Sequence, residues 1–178
     1  MVFVMDASGS IGADNFVSMK DYVANVVLGL NENVRVGVVR YSSSASIVIG
    51  LTPVSDPESL AARIRSIVYT KGGTNTAAGI ATAQSMFEQD RCSGVTKSIS
   101  VLTDGQSDNV HSTTRAASNA KDAGIQLYAS GIGSGPNQEE LQSIASSPPS
   151  DYLVPIANFS SSAFNNRIDT LRTSACKS

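Results

Sequence analysis

Five oxygen-bearing side chains fall in three separated segments of the sequence. Asp6, Ser8 and Ser10 lie in Asp6-Ala7-Ser8-Gly9-Ser10, Thr74 in Gly72-Gly73-Thr74-Asn75-Thr76, and Asp104 in Leu102-Thr103-Asp104-Gly105. Two carboxylates and three hydroxyls, with no sulfur or imidazole, form a donor set for a hard divalent cation: Mg²⁺, with Mn²⁺ or Ca²⁺ as substitutes. Mg²⁺ asks for near-octahedral oxygen at about 2.1 Å and keeps several waters. The alternation of Asp6, Ser8 and Ser10 suits this task, because alternate side chains of a tight turn can point to one side. The small residues between them let the backbone curl, and Gly9 widens its choice of φ and ψ. Asp6 and Asp104 together balance the charge of the ion, and the other donors are neutral. The ion therefore stays electrophilic, and an incoming carboxylate can replace one of its waters.

For these side chains to meet, the elements that carry them must end on one edge. Val2-Phe3-Val4-Met5 is a continuous apolar run ending at Asp6, the pattern of a strand buried on both faces of a parallel sheet. Phe16, Met19, Val23, Val26, Val27 and Leu30 then recur at helical spacing. The β-branched run 34–41 is a second strand. Residues 45–51, after the Ser42-Ser43-Ser44 turn, form its antiparallel hairpin partner. Asp56-Pro57 caps a helix reaching about Val68, with Leu60, Ile64 and Ile67 on its apolar face. The Gly-Gly-Thr loop opens a helix through Phe87, and residues 97–103 form the next strand. Ser112 or Thr113 starts a helix that stops at Gly124. A strand over 125–132, a capping box at Asn137 and Glu140, a short strand at Tyr152-Leu153-Val154 and a last helix lined by Phe164, Ile168 and Leu171 complete the chain. Short serine-rich stretches (42–44, 146–150 and 160–162) read as loops.

Strands and helices alternate, with one early hairpin, which is the pattern of an α/β doubly wound domain. Ligands of such sheets bind beyond the carboxyl ends of the strands. Asp6 and Asp104 directly follow strands, and Thr74 sits in the loop before a helix. If the strand order reverses at the first strand, the strand leading to Asp104 lies beside it and the three loops converge.

These residues, with their surroundings Phe3-Val4-Met5-Asp6-Ala7-Ser8-Gly9-Ser10-Ile11-Gly12, resemble the metal-ion-dependent adhesion site of the von Willebrand factor type A domain family. The likeness runs from Val2 to about Arg172. It implies a mostly parallel central sheet with one antiparallel edge strand and helices on both faces. It implies Mg²⁺ held by Ser8, Ser10 and Thr74, with Asp6 and Asp104 bonding directly or through water. It also implies adhesion, in which a Glu or Asp of a partner caps the ion. In integrin-type members the ligand-bound state shifts the last helix. Two departures separate this chain from that type. The Gly133-Ser134-Gly135-Pro136-Asn137 loop leaves no room for the extra helix inserted there, and the end of the last helix, through Cys176, has no Glu beyond it to act as an internal ligand. The chain is closer to the extracellular-matrix members found in matrilins and fibril-associated collagens. The resemblance thus implies a matrix protein partner, collagen foremost, engaged through an acidic residue, and a secreted, extracellular-matrix location. The expected organisation is one domain over 1–178, a fragment of a larger extracellular protein.

Cys92 and Cys176 are compatible with one disulfide or with two free thiols. They form no C-x-x-C pair that would suggest zinc or redox chemistry. Cys176 resembles the terminal cysteine that closes matrix-type members against an upstream one, and a Cys92–Cys176 bridge needs a Cα separation below about 7 Å. Asn158-Phe159-Ser160 fits the N-glycosylation sequon.

The 178 residues are one domain's worth of chain, and an apolar share of 41% excludes disorder. Charged residues are only 16%, and 28 serines take up the surface they leave. A net charge of −2 offers no basic excess for nucleic acid. No apolar run approaches the roughly 20 residues needed to cross a bilayer, so no membrane insertion is expected.

Enzymatic readings fare poorly. His111 is the single histidine, which removes most hydrolase mechanisms that need an imidazole base. A strand-end Asp with Mg²⁺ suits a phosphotransfer nucleophile of the haloacid-dehalogenase type, but that chemistry wants a second Asp where Ser8 stands. No G-x-S-x-G elbow surrounds Ser10, and Gly131-x-Gly133-x-Gly135 lacks dinucleotide-binding spacing. A non-enzymatic role is expected. Its alternative is a structural matrix component with little metal-dependent binding, and a Mg²⁺-dependent hydrolase or phosphotransferase ranks last. Asp6, Ser8 and Ser10 alone also fit an ordinary capped turn; Thr74 and Asp104 at matching strand ends favour the cation. His111 reads as an exposed loop residue, Lys71 and Arg40 as solvated cations near the rim, and Tyr41 and Phe16 as core.

Overall fold

The structure, a computed structural model, describes residues 1–30, 32–90, 94–132 and 136–156. In chain order the elements are β1 (Val2–Asp6), α1 (Ala13–Leu28), β2 (Arg35–Tyr41), β3 (Ala45–Pro53), α2 (Pro57–Arg65), α3 (Thr76–Gln89), β4 (Ser98–Thr103), α4 (Val110–Asp122), β5 (Gln126–Ile132), α5 (Gln138–Ile144), α6 (Pro149–Tyr152) and β6 (Leu153–Ile156). The strands form one six-stranded sheet in the order β3-β2-β1-β4-β5-β6. β1 runs parallel to both β2 and β4, β5 and β6 continue in parallel, and only β3 is antiparallel, at the edge beside β2.

The apolar run of β1 explains its central place. All five of its residues are buried, because successive side chains of a strand enter opposite faces and both faces are covered. Phe3 and Met5 join the cluster formed with Phe16, Met19 and Val23 of α1 and Leu60 and Ile64 of α2. Val2 and Val4 join the cluster on the other face, with Ile80 and Ala83 of α3 and Ala117 and Ala120 of α4. β3 carries a largely exposed pattern, as an edge strand can. α3 lies close on the sheet because Gly79 has no side chain: a Cβ there would stand 2.9 Å from both Tyr41 and Val4.

The strand order reverses at β1, with β2 on one side and β4 on the other. This is the topological switch point at which open α/β sheets bind ligands. The predicted doubly wound architecture is therefore the observed one, including the antiparallel edge strand.

Several boundaries differ from the sequence reading. α1 ends at Leu28, where Gly29 takes the C-cap position, before the expected Leu30. α2 stops at Arg65 rather than near Val68, although Asp56 caps it from Ser59 N–H as expected. α4 starts at Val110, earlier than Ser112, because Asn109 accepts from the Ser112 N–H and caps the helix. His111 is therefore in a helix rather than a loop, although exposed as expected. Gly124 adopts φ +77° beyond α4, the left-handed conformation expected of a residue just past a helix end. Asn137 caps α5 by accepting from Glu140 N–H, but the Glu140 side chain turns elsewhere, so only half of the capping box forms. Tyr152 ends α6 instead of opening a strand, since Pro149 supplies a pre-set first helical turn in what read as a serine-rich loop. Cys92, Cys176, Asn158 and the last helix around Phe164, Ile168 and Leu171 lie outside the described residues.

Candidate metal centre

Asp6 is the last residue of β1, and its side chain is fully buried where the strand meets the apex of the sheet. The following turn folds back onto it: Ser8 N–H donates to Asp6 Oδ1 over 2.8 Å. This is a local interaction typical of Asp in turns. The same turn sets the Ser8 and Ser10 hydroxyls 3.1 Å apart. Ser8 is buried and Ser10 exposed, so the three side chains run from the sheet edge outward to solvent. Two further bonds fix the turn from outside. Ala7 N–H donates to the Tyr41 carbonyl over 2.8 Å, and the Tyr69 hydroxyl donates to the Ser8 carbonyl over 2.8 Å. Tyr69 itself leans on Phe16, with ring centroids 5.3 Å apart.

The second segment is tied to the first through the main chain. Gly9 N–H donates to the Gly72 carbonyl over 3.0 Å. Gly73 N–H donates to Ser43 Oγ over 2.8 Å, and Asn75 N–H to the Ser42 carbonyl over 2.8 Å, so the serine turn after β2 supports the Gly-Gly-Thr loop. Thr74 is 6% exposed and immediately precedes Asn75, which caps α3 by accepting from Ala78 N–H.

The third segment meets Asp6 across the seam of β1 and β4. The Thr103 hydroxyl donates to Asp6 Oδ2 over 2.8 Å and accepts from Gly105 N–H over 3.0 Å. The next residue, Asp104, is half-buried; its Oδ1 accepts from Gln106 N–H over 3.3 Å and its carbonyl from Asn137 N–H over 3.3 Å. Asp104 is close enough for its charge to act on Asp6.

The electrostatics are unbalanced. Burial raises the Asp6 carboxyl above the ordinary carboxylate range; the hydrogen bonds from Ser8 and Thr103 oppose the shift, and the Asp104 charge adds to it. The Tyr41 phenol lies fully buried beneath, among Thr76, Thr103 and Asp6, and burial, with the Asp6 charge, pushes it well above its ordinary value. Its oxygen accepts from the Thr76 hydroxyl over 3.2 Å. Among the described residues the ion pairs Arg35–Asp90 and Arg65–Asp21 form elsewhere, and no cation is paired with Asp6 or Asp104. No group of three or more His, Cys, Asp or Glu side chains among the described residues is placed to hold a metal. A cation at this apex must therefore draw on hydroxyl oxygens, as the donor set Asp6, Ser8, Ser10, Thr74 and Asp104 allows.

Of the five residues singled out in the sequence, Asp6, Ser8 and Ser10 share one turn, Asp104 lies within electrostatic reach of Asp6, and the loop of Thr74 is tied to that turn by the Gly9–Gly72 bond. Of the rim cations, Arg40 donates to the Val68 carbonyl and is thereby tied to the α2–α3 connection. The site roles of Thr103, Asp108 and the Tyr41 hydroxyl escaped the sequence reading. Thr103 closes a buried apolar run, a position where a hydroxyl has to find a partner. Tyr41, correctly read as core, also carries a buried hydroxyl beneath Asp6. Asp108 has no local signal; its carboxylate accepts from Thr74 N–H over 2.8 Å. A cavity of about 270 Å³ opens beside Thr74 between the starts of α3 and α4, with Thr76, Asp108, Asn109 and Ser112 on its wall.

The chain belongs to the von Willebrand factor type A domain family, whose model matches residues 1–170. It is similar to human (Homo sapiens) collagen alpha-1(XXI) chain, 34% identical over 163 residues that cover 89% of this chain and 17% of the relative. It is likewise similar to chicken (Gallus gallus) matrilin-1, 31% identical over 165 residues, covering 89% of this chain and 33% of the relative. The chain thus spans a third or less of the length of these relatives. Among solved structures, proximal thread matrix protein 1 from the mussel byssus, with a zinc-occupied MIDAS motif, superposes with a TM-score of 0.80 at 25% identity, covering 99% of this chain and 47% of that one. Manganese-loaded Plasmodium vivax TRAP protein shares the fold, with a TM-score of 0.78 at 17% identity over 97% of this chain and 71% of that one.

Proposed function

We propose that this domain is a non-enzymatic, cation-dependent binding module of a secreted extracellular-matrix protein. Asp6, Ser8, Ser10, Thr74 and Asp104 would hold Mg²⁺, with Mn²⁺ or Ca²⁺ as substitutes, and a partner's Asp or Glu side chain would complete the coordination. The observation that carries this reading is the state of Asp6: a fully buried carboxylate, near a second carboxylate, surrounded by hydroxyls and, among the described residues, paired with no cation. Uncompensated buried charge is costly, and a bound divalent ion removes that cost.

When bound, the ion supplies a Lewis-acidic position for an anionic oxygen. The chain's own residues do the rest. Thr103 and the Ser8 N–H hold the Asp6 oxygens in place, so the carboxylate meets an ion without reorganising. Ser10, on the exposed side of the turn, marks the direction from which a partner arrives. With only two carboxylates in the donor set, the charge of the ion is balanced but not exceeded, which leaves it attractive to an acid from outside.

The similarity to collagen and matrilin chains supports a matrix protein as the partner, with collagen the first candidate. Among the described residues no helix is long and apolar enough to cross a membrane. Titration calorimetry with MgCl₂, followed by collagen binding with and without EDTA, tests the proposal. Saturable ion binding and chelator-sensitive adhesion are expected. Collagen binding that ignores EDTA would instead favour a structural component that associates through its hydroxyl-rich surface.

A further inference from the structure

The loops that carry Thr74 and Asp104 belong to different elements, and nothing in the sheet hydrogen bonding joins them. The bonds that do so come from one residue, Asp108. Thr74 N–H donates to Asp108 Oδ2 over 2.8 Å, and Asp108 N–H donates to the Thr74 carbonyl over 2.9 Å. Both polar groups of the Thr74 main chain are thereby engaged by the same partner. The second glycine of Gly72-Gly73-Thr74 has its reason here: a Cβ on Gly73 would lie 2.7 Å from Asp108 Oδ2 and 3.3 Å from Ser43 Oγ. Two side-chain oxygens therefore converge on a peptide that only glycine lets them approach.

We propose that Asp108 is a positioning residue for the cation site, a two-way clamp that sets the separation of Thr74 from Asp104 without touching the ion. The β-branched Thr74 side chain has few χ1 choices, so the placing of its hydroxyl follows the placing of its main chain. Asp108 stands four residues after Asp104 in the same loop, so the clamp transmits the position of the β4 end directly to Thr74. Mg²⁺ tolerates little departure from octahedral geometry, and a displaced ligand oxygen weakens its site. The consequence for affinity rests on the cation reading given above; the clamp itself is a statement about two loops.

Titration calorimetry with MnCl₂ alone, on the wild-type chain, Asp108→Ala, Asp108→Asn and Gly73→Ala, tests the inference, with amide hydrogen exchange at Thr74 read in parallel. Asp108→Ala is expected to weaken Mn²⁺ binding about 10-fold or more, as loss of an outer-shell partner does. Its Thr74 amide is expected to exchange faster while the circular dichroism spectrum stays that of the wild type. Asp108→Asn keeps an acceptor oxygen and is expected to retain most of the affinity that Asp108→Ala loses. Gly73→Ala, which pushes Asp108 aside, is expected to behave like Asp108→Ala. Unchanged Mn²⁺ affinity in Asp108→Ala overturns the proposal, and so does an equal loss in Asp108→Ala and Asp108→Asn, which would assign the effect to charge alone. If the wild-type chain itself binds no Mn²⁺, the cation reading fails. The clamp is then judged by Thr74 exchange: an amide already unprotected in the wild type overturns it, and protection lost in Asp108→Ala upholds it.

Discussion

The Thr103 hydroxyl donates to Asp6 Oδ2 over 2.8 Å, across the seam where β1 and β4 lie side by side. The bond spans 97 positions of sequence and connects the ends of the two strands that deliver the two carboxylates. Thr103→Val keeps the shape and removes the hydroxyl. It leaves Asp6 Oδ2 and Gly105 N–H without their partner. Loss of about 1–3 kcal/mol of stability is expected, with divalent-ion affinity reduced about 10-fold. Urea unfolding and calorimetry on the same samples measure both; an unchanged affinity would detach Thr103 from the site.

The raised Asp6 carboxyl has a signed consequence for the metal-free domain. Its folded pKa lies above the ordinary carboxyl value of 3.8, so between that value and the raised one the folded state holds more proton than the unfolded chain. Stability then falls as pH rises through this window and is regained on acidification. Asp6→Asn abolishes that slope, and at neutral pH the metal-free variant is expected to be at least as stable as the wild type. Melting curves in EDTA from acid to neutral pH compare the two. The wild-type affinity for Mg²⁺ follows the opposite course and weakens on acidification, because protons compete for the same carboxylate.

Ion binding to the folded chain alone raises its stability by mass action, by about 2.7 kcal/mol at a free concentration 100 times the dissociation constant. MgCl₂ is therefore expected to raise the melting temperature by several degrees, and EDTA to reverse it. Asp104→Ala is expected to abolish this response while its metal-free stability stays within about 1 kcal/mol of wild type, because Asp104 is only half-buried and bonds to an exposed loop amide. A full Mg²⁺ shift in that variant would exclude Asp104 from the ligand set.

Gly79 lies inside α3, where a change to alanine ordinarily gains about 1 kcal/mol of helix propensity. Here the new methyl would stand 2.9 Å from the Tyr41 ring and from Val4. Overpacking of this kind costs about 1–3 kcal/mol, so Gly79→Ala is expected to be net destabilising. Because Tyr41 carries the hydroxyl beneath Asp6, the same change is expected to weaken ion binding. Thermal unfolding alone checks the first effect and calorimetry the second.

Short-range physics is what makes part of this protein legible in its residues. The unbroken apolar run 2–5 could be satisfied only by burial on both faces, and the central place of β1 follows from it. The turn at Asp6, Ser8 and Ser10 is held by a bond between residues two apart, so its form was legible in the residue types. The caps at Asp56 and Asn137 bond three residues on and are local in the same sense. The Asn109 cap of α4 and the short α6 were missed because the residues that begin these helices are mostly polar and few large apolar side chains mark them. The surroundings of Asp6 come instead from long-range packing. Thr103 meets it because the strand order reverses at β1, Tyr41 stands beneath it because β2 flanks β1, and Asp108 reaches Thr74 because two loops end on the same edge. None of these partners is close to its target in sequence: Thr103 stands 97 positions from Asp6 and Asp108 34 positions from Thr74. Long-range neighbours are set by how the layers pack, and a carboxylate's second oxygen finds its donor only after that packing is complete.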